Sequence, residues 1–269
     1  MGLFFKKQKH IYFTHQDEVT KYWKKEGAHS LNTSEIKAMQ DLMIDDVTFK
    51  ITTNFFCKNI KPPKPSDKLL DAGCGWGRSI IGLKRKFPTL DVTGVDVVEE
   101  LLELGKNITK KININNVNWK KETVVHLSFD DKYFTNIVST RVLHYIVEPQ
   151  NAINELLRVL KPGGRMIIMV PNKLNPLLRI SYHTKLYSTE DMKSWFSTRK
   201  VNIIKTGTIG FIPPFKHLRN AIFLEKLDVI LRKIPLINKF GGLAFCIVEK
   251  KTQLVSGCSA VYPSDIMSS

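Results

Sequence analysis

The stretch "LLDAGCGWGRSIIGL", Leu69 to Leu83, decides how the rest of the chain is read. An apolar run ends in Asp71, glycines follow at 73, 75 and 77, and an apolar-periodic segment then begins. That order reads as strand, tight turn and helix. Glycine adopts positive φ without a steric cost and lets a ligand approach the backbone. The helix start that follows presents unpaired N–H groups. Two phosphate-binding patterns are excluded. A dinucleotide site needs G-x-G-x-x-G, and position 78 is Arg; a P-loop needs G-K-[ST], which does not follow.

The flanking segments alternate. Strands are predicted at Lys68–Asp71, Asp91–Asp96, Val117–Lys120, Asn136–Thr140 and Arg165–Val170, then at 201–209 and 242–249. Helices are predicted at Arg78–Lys86, stopped by Pro88, at Val98–Lys111 and at Pro149–Leu160, with Lys161-Pro162-Gly163-Gly164 as the stop signal. Such alternation predicts an α/β fold, a mostly parallel sheet with helices on both faces. The glycines then fall in the first βα turn, at the carboxyl edge of a central strand, where open α/β sheets bind ligands. Asp96 closes the next strand, and a carboxylate there suits both hydroxyls of a ribose. Asp71, just before the glycines, would repel a pyrophosphate and suits a ligand that carries an ammonium group.

The chain has 269 residues, of which 43% are hydrophobic, enough for one sizeable core. A helical cap is expected over 1–60, with Lys61-Pro62-Pro63-Lys64-Pro65 as a break, and a loose tail from Thr252. No apolar run approaches the roughly 20 residues that span a bilayer. The N-terminus lacks the apolar length of a signal peptide. Its Met-Gly start is followed by Lys6, where a myristoylation pattern needs Ser or Thr. Cys57, Cys74, Cys246 and Cys258 share no metal-ligand spacing, so no metal is expected, and they read as reduced thiols of a cytoplasmic protein. The net charge is +16, and residues 161–251 carry +12 of it. That asymmetry points to an anionic partner on one side of the molecule; the bland alternative is ordinary solvated lysine.

Three segments in order, "LLDAGCGWGRSI", "VTGVD" and "ELLRVLKPGGRMIIMVPN", resemble the seven-stranded S-adenosylmethionine-dependent methyltransferases, in particular the small-molecule subgroup with quinone- and sterol-type enzymes. The resemblance covers about 68–172 and extends by topology to about 250. It implies a doubly wound seven-stranded sheet with an antiparallel last strand, a methyltransferase domain over 61–251, and S-adenosylmethionine as cofactor with S-adenosylhomocysteine as product. By the same resemblance Asp71, Ala72, Gly73, Cys74, Gly75 and Gly77 would hold the methionine moiety. Asp96 would hold the ribose and Val97 would lie beside the adenine. Glu122 would face the adenine amino group, and Thr140 would end the fourth strand at the cofactor. The family usually has Asp where this chain has Thr135.

The acceptor should approach at the end of the fourth strand, "STRVLHY". His144 and Tyr145 are the candidate bases there, although His144 reads more simply as a packing residue. The family's Asn/Asp-Pro-Pro signature for adenine methylation in DNA is absent. Between the last two strands lies an insert, about 211–240. Leu218, Ile222, Leu227, Ile230, Leu231 and Ile234 fit one helical face, with Lys216, Arg219, Lys226, Arg232 and Lys233 elsewhere. It reads either as a lid on the sheet or as a basic amphipathic cap for an anionic membrane surface. The N-terminal helices, including Tyr12, Phe13, Tyr22 and Trp23, would close the other side of the pocket. The function expected is methyl transfer to a small, lipophilic acceptor. An RNA methyltransferase and a non-catalytic nucleotide-binding protein are the alternatives.

Overall fold

The computed structural model describes Glu18, Lys21 and residues 47–176, 178, 185–211 and 221–252. A helix α1 (Val47–Asn59) precedes the alternating units β1 (Lys68–Ala72), α2 (Arg78–Lys86), β2 (Asp91–Asp96), α3 (Glu99–Lys111) and β3 (Val117–Lys121). Then come β4 (Phe134–Thr140), α4 (Pro149–Val159), β5 (Leu160–Pro171), α5 (Thr189–Ser194), β6 (Val201–Ile209), α6 (Ala221–Leu231) and β7 (Leu243–Lys250). The seven strands form one sheet in the order β3-β2-β1-β4-β5-β7-β6. β7 runs antiparallel to both neighbours and the other pairs are parallel. Because β5 and β6 both pair antiparallel with β7, they run the same way. The chain therefore leaves β4, β5 and β6 at one common edge.

Side chains alternate faces along a strand, and here each face has its own core. Leu70, Ile137, Met166 and Ile168 pack with Ile153 and Leu156 of α4. Their neighbours Leu69, Val138, Ile167 and Met169 pack with Phe55 and Phe56 of α1, Ile80 and Leu83 of α2, and Leu102 of α3. Strands buried on both faces read as continuous apolar runs, which is why "RMIIMV" shows no alternation. The described end of the expected helical cap, α1, thus belongs to the core of the sheet. Tyr12, Phe13, Tyr22 and Trp23 lie outside the described residues, as do Lys216, Leu218, Arg219 and Cys258.

One expectation needs correction and two gain detail. Helix α4 ends at Val159, and Leu160 already pairs with Phe134. The Lys161–Gly164 segment is an irregularity within β5, where pairing jumps from Phe134 to Asn136, and Gly163 takes φ +71°. Thr135, the departure from the family pattern, donates its hydroxyl to Asp67 Oδ1 at 2.9 Å, so the position keeps a local tie by a different group. Along the insert, where a lid and an outward-facing cap were both open, Leu227 and Leu231 are half-buried and Ile230 and Ile234 exposed. Asp228 is fully buried, whereas Ile230 is 56% and Phe223 59% exposed. Asp228 Oδ1 accepts the Gly210 and Phe211 N–H groups, each at 2.9 Å, and Oδ2 accepts from Arg232. This network holds α6 to the end of β6 and turns an apolar face outward.

Candidate active site

The turn after β1 is shaped by three left-handed glycines, Gly73, Gly75 and Gly77, with φ +77°, +53° and +85°. It is tied down from β2. The N–H groups of Gly73 and Cys74 both donate to the Val95 carbonyl, at 2.8 and 2.9 Å. Gly75 N–H donates to Asp96 Oδ2 at 2.8 Å, and Val98 N–H to Asp96 Oδ1 at 3.0 Å. Asp96 therefore positions the glycine loop, a role the sequence did not suggest. Each of its oxygens retains a second acceptor site, so the carboxylate can serve a ligand as well. Burial raises its pKa while these amide hydrogen bonds oppose the shift.

The loop borders a cavity of roughly 340 Å³, within the size range of small-molecule sites. Asp71, Gly73, Cys74, Gly75, Asp96, Val97, Glu122, Thr140 and Tyr145 all line it. A Cβ on Gly75 would meet no protein atom within 4 Å, so the space beside it is open. Glu122 accepts hydrogen bonds from the Ser128 N–H, at 3.1 Å, and from its hydroxyl, and lies 3.8 Å from Lys120 Nζ.

Among the described residues, Asp71 Oδ2 and Thr140 Oγ1 in the cavity wall are buried acceptors without a hydrogen-bond partner. A buried carboxylate without a partner is costly. Burial, with the charge of Asp96 second, pushes Asp71 up to about 8. The same burial raises the Cys74 thiol well above its usual range. A cationic ligand would relieve Asp71, and an orphaned acceptor of this kind fits the ammonium or sulfonium of S-adenosylmethionine.

Other expected residues lie elsewhere. Ala72 is buried and does not line the cavity; its carbonyl accepts the Ser139 hydroxyl at 2.8 Å. Gly77 also stays out of the wall. It caps α2, and a Cβ there would come within 2.3 Å of the Trp119 ring, so it is glycine for packing and for its φ. His144 is 2% exposed and does not line the cavity. Burial, reinforced by Arg141, depresses its pKa to about 3, so it is a poor base near neutral pH. The N-terminal helices were expected to close the other side of the pocket, and α1 lines it through Phe49, Thr52 and Thr53; Arg78 and Arg141 of the same wall were not foreseen. Nothing in the local pattern of α1 marks it as a wall; only its packing on α2 brings it there.

A seven-stranded sheet with this strand order, and a glycine loop and two carboxylates around one cavity, defines the class I methyltransferase architecture. The chain belongs to the methyltransferase-domain family, whose profile matches residues 63–211, more than half its length. It is 37% identical over 111 residues to an uncharacterized methyltransferase, C1B3.06c, of Schizosaccharomyces pombe, covering 39% of this chain and 40% of that protein. It is 23% identical over 182 residues to the demethylmenaquinone methyltransferase of Symbiobacterium thermophilum, covering 65% and 70%. With the ubiquinone/menaquinone biosynthesis C-methyltransferase UbiE of Ectopseudomonas mendocina it shares 31% over 132 residues, covering 46% and 50%. The chain thus spans between 40% and 70% of the lengths of these relatives. The fold is shared with the geranyl diphosphate C-methyltransferase of Streptomyces coelicolor, at a TM-score of 0.61 and 16% identity, covering 89% of this chain and 99% of that one. It is also shared with the [4+2]-cyclase SpnF, at a TM-score of 0.56 and 18% identity, covering 74% and 80%. A fold that carries both names does not by itself fix a reaction.

Proposed function

We propose that this chain transfers a methyl group from S-adenosylmethionine to a small, apolar acceptor. The observation that carries this is the unpartnered, buried Asp71 carboxylate in a cavity whose remaining wall is largely apolar. Bound there, the cofactor would supply an electrophilic methyl on a sulfonium. Asp71 would hold positive charge, Asp96 the ribose hydroxyls, and Glu122 the adenine amino group, with Val97 against the ring. Phe49, Val142, Tyr145 and Ile146 would exclude water and orient the acceptor, so that proximity supplies much of the acceleration. Tyr145 offers a hydroxyl for this; His144 acts as packing. Two of the relatives are named for quinone methylation, which agrees with an apolar, ring-bearing acceptor.

The outward face of α6 supports one partner, an anionic membrane surface. Phe223 and Ile230 lie seven residues apart on one face, and Ile234, Leu236, Ile237 and Phe240 continue the exposed apolar surface. Lys226, Lys233 and Lys239 are exposed among them, and Asp228 is buried and paired with Arg232. Apolar side chains ringed by lysine match the chemistry of an interfacial helix. This surface follows β6, at the same edge of the sheet as the cavity. Among the described residues no helix is long and apolar enough to cross a membrane.

Calorimetry should show S-adenosylhomocysteine binding in the micromolar range, roughly −8 kcal/mol, and NAD far weaker. Equal binding of NAD would overturn the site assignment. Incubation of cell extract with methyl-labelled cofactor should label an apolar small molecule. Label in RNA instead, with affinity falling steeply with salt, would overturn the acceptor class. Vesicles with anionic lipid should retain the protein and neutral vesicles should not; equal retention removes the membrane partner.

A further inference from the structure

Arg141 has an unusual setting. It directly follows β4 and lines the cavity, yet its backbone sits at φ +59°, a region L-residues rarely occupy. Strain of this kind persists only where the surroundings over-determine it, and it clusters at functional sites. Here two contacts hold it. The Arg141 N–H donates to the Met169 carbonyl at 2.9 Å. The next residue, Val142, fills the space beside Gly73, where an added Cβ would lie 2.1 Å from a Val142 methyl. The turn therefore locks the glycine loop on one side and aims the chain at the cavity mouth on the other.

The side chain of Arg141 is exposed, and among the described residues its guanidinium has no hydrogen bond or ion pair. The other arginine of the wall, Arg78, is already used, lying 5.3 Å over the Phe49 ring. The acids of the cavity, Asp71, Asp96 and Glu122, come from the ends of β1, β2 and β3. Arg141 adjoins Val142, Tyr145 and Ile146, the apolar part. A fixed cation beside an apolar wall matches a ligand with an apolar body and an anionic head, since a guanidinium holds carboxylate or phosphate in a bidentate fork.

We infer that Arg141 is a specificity-determining residue that binds an acidic head, carboxylate or phosphate, on the methyl acceptor, so that the substrate is an amphipathic acid. This rests on the cavity being an S-adenosylmethionine site. The test begins there, with calorimetric titration of S-adenosylhomocysteine into wild type, Arg141→Gln and Arg141→Lys. The loaded proteins are then titrated with octanoate, octyl phosphate and octanol. In wild type at least one of the two acids should bind at least tenfold tighter than octanol, and whichever binds better identifies carboxylate or phosphate as the head. The preference should fall to about one in Arg141→Gln and recover in part in Arg141→Lys. Arg141→Gly, which removes charge and strain together, keeps the comparison readable if Arg141→Gln folds poorly. Octanol binding as well as the acids, no binding of any probe, or an acid preference that survives Arg141→Gln overturns the inference. Failure of S-adenosylhomocysteine to bind wild type would instead overturn the cavity assignment and remove the basis of this one.

Discussion

The two halves of the sheet's carboxyl edge are closed by different means. At β1, β2 and β4 the backbone does it: left-handed Gly73 and Gly75, whose N–H groups donate to the Val95 carbonyl and to Asp96, line the cavity. At β5, β7 and β6 side chains do it. Asp228 caps the chain leaving β6, Asn172 Nδ2 donates to the Lys239 and Gly241 carbonyls, and the Thr208 hydroxyl donates to the Asn238 carbonyl. The first half needs one residue type at fixed spacing, because glycine takes those φ values at little cost. The second needs an acceptor or donor at a point in space, which many sequences supply. A ligand site built on backbone geometry is therefore announced locally, and a surface held by side-chain caps is not.

Substitutions in the glycine loop should test that contrast most severely. Gly75→Val should abolish S-adenosylhomocysteine binding, because the side chain would enter the open space where the proposed cofactor would lie. The unliganded protein should lose only about 1–3 kcal/mol from backbone strain. Thermal melting with and without ligand reads this directly, since a ligand of the native state raises the melting point. An equal ligand-dependent rise in mutant and wild type would reduce the loop to a turn. Gly73→Val should instead fail in folding, because its Cβ position is taken by Val142.

On the other half, Asp228→Ala leaves two amide groups and a guanidinium without their acceptor. Removing one partner of a buried charge network costs about 3–5 kcal/mol, so the melting temperature should drop clearly while ligand binding at lower temperature survives. Unchanged melting would mean that α6 is held by something else. Asp96→Ala spans both roles. Charged hydrogen bonds contribute roughly 1.5–3 kcal/mol each, so ligand affinity should fall at least tenfold, and more than in Glu122→Ala. The reverse order would misplace the adenosine.

Proton linkage should separate two buried groups of opposite sign. Asp71 has its pKa raised from 3.8 to about 8, so the unliganded folded state binds more protons than the unfolded state between those values. Its contribution to stability is full below about pH 4 and is lost as pH rises toward 8. His144 has its pKa lowered from 6.5 to about 3, so its contribution is full above pH 6.5 and is lost as pH falls. Melting curves of unliganded wild type and Asp71→Asn across pH 4 to 8 should diverge, the variant losing the alkaline decline. Parallel curves would contradict the assignment of that decline to Asp71. The smallest effect is expected on the outward face of α6. Ile230→Ser should change stability by no more than about 0.5 kcal/mol, as exposed substitutions do, while lowering retention on anionic vesicles. A large loss of stability would show that the face is covered.

The strand-turn-helix unit at Leu69–Leu83, the alternation around it, and Asp71 and Asp96 at strand ends were legible in the amino-acid sequence. Each rests on a local rule: φ at glycine, period of burial, or position at a strand end. The helix over Arg78–Lys86 and the strands Asp91–Asp96 and 201–209 match the structure at both ends. What failed in the sequence failed for physical reasons of reach. Gly77 and Gly75 look alike in "GCGWG", yet one is filled by Trp119 from β3 and the other borders open space. His144 carries the same imidazole as a catalytic base, but burial removes its basicity. The stripe in the insert, read from periodicity, left a lid and an outward cap both open, and the buried Asp228 with exposed Phe223 and Ile230 favours the outward face. The sequence by itself determined the class of fold, the glycine turn at the carboxyl edge of the sheet and the carboxylates Asp71 and Asp96 beside it, because those depend on contacts within a few residues. Only the tertiary structure decided which glycine borders the open cavity, which residues of α1 and which arginines line it, and which face of α6 meets the outside, because those depend on residues distant in the chain arriving at one point.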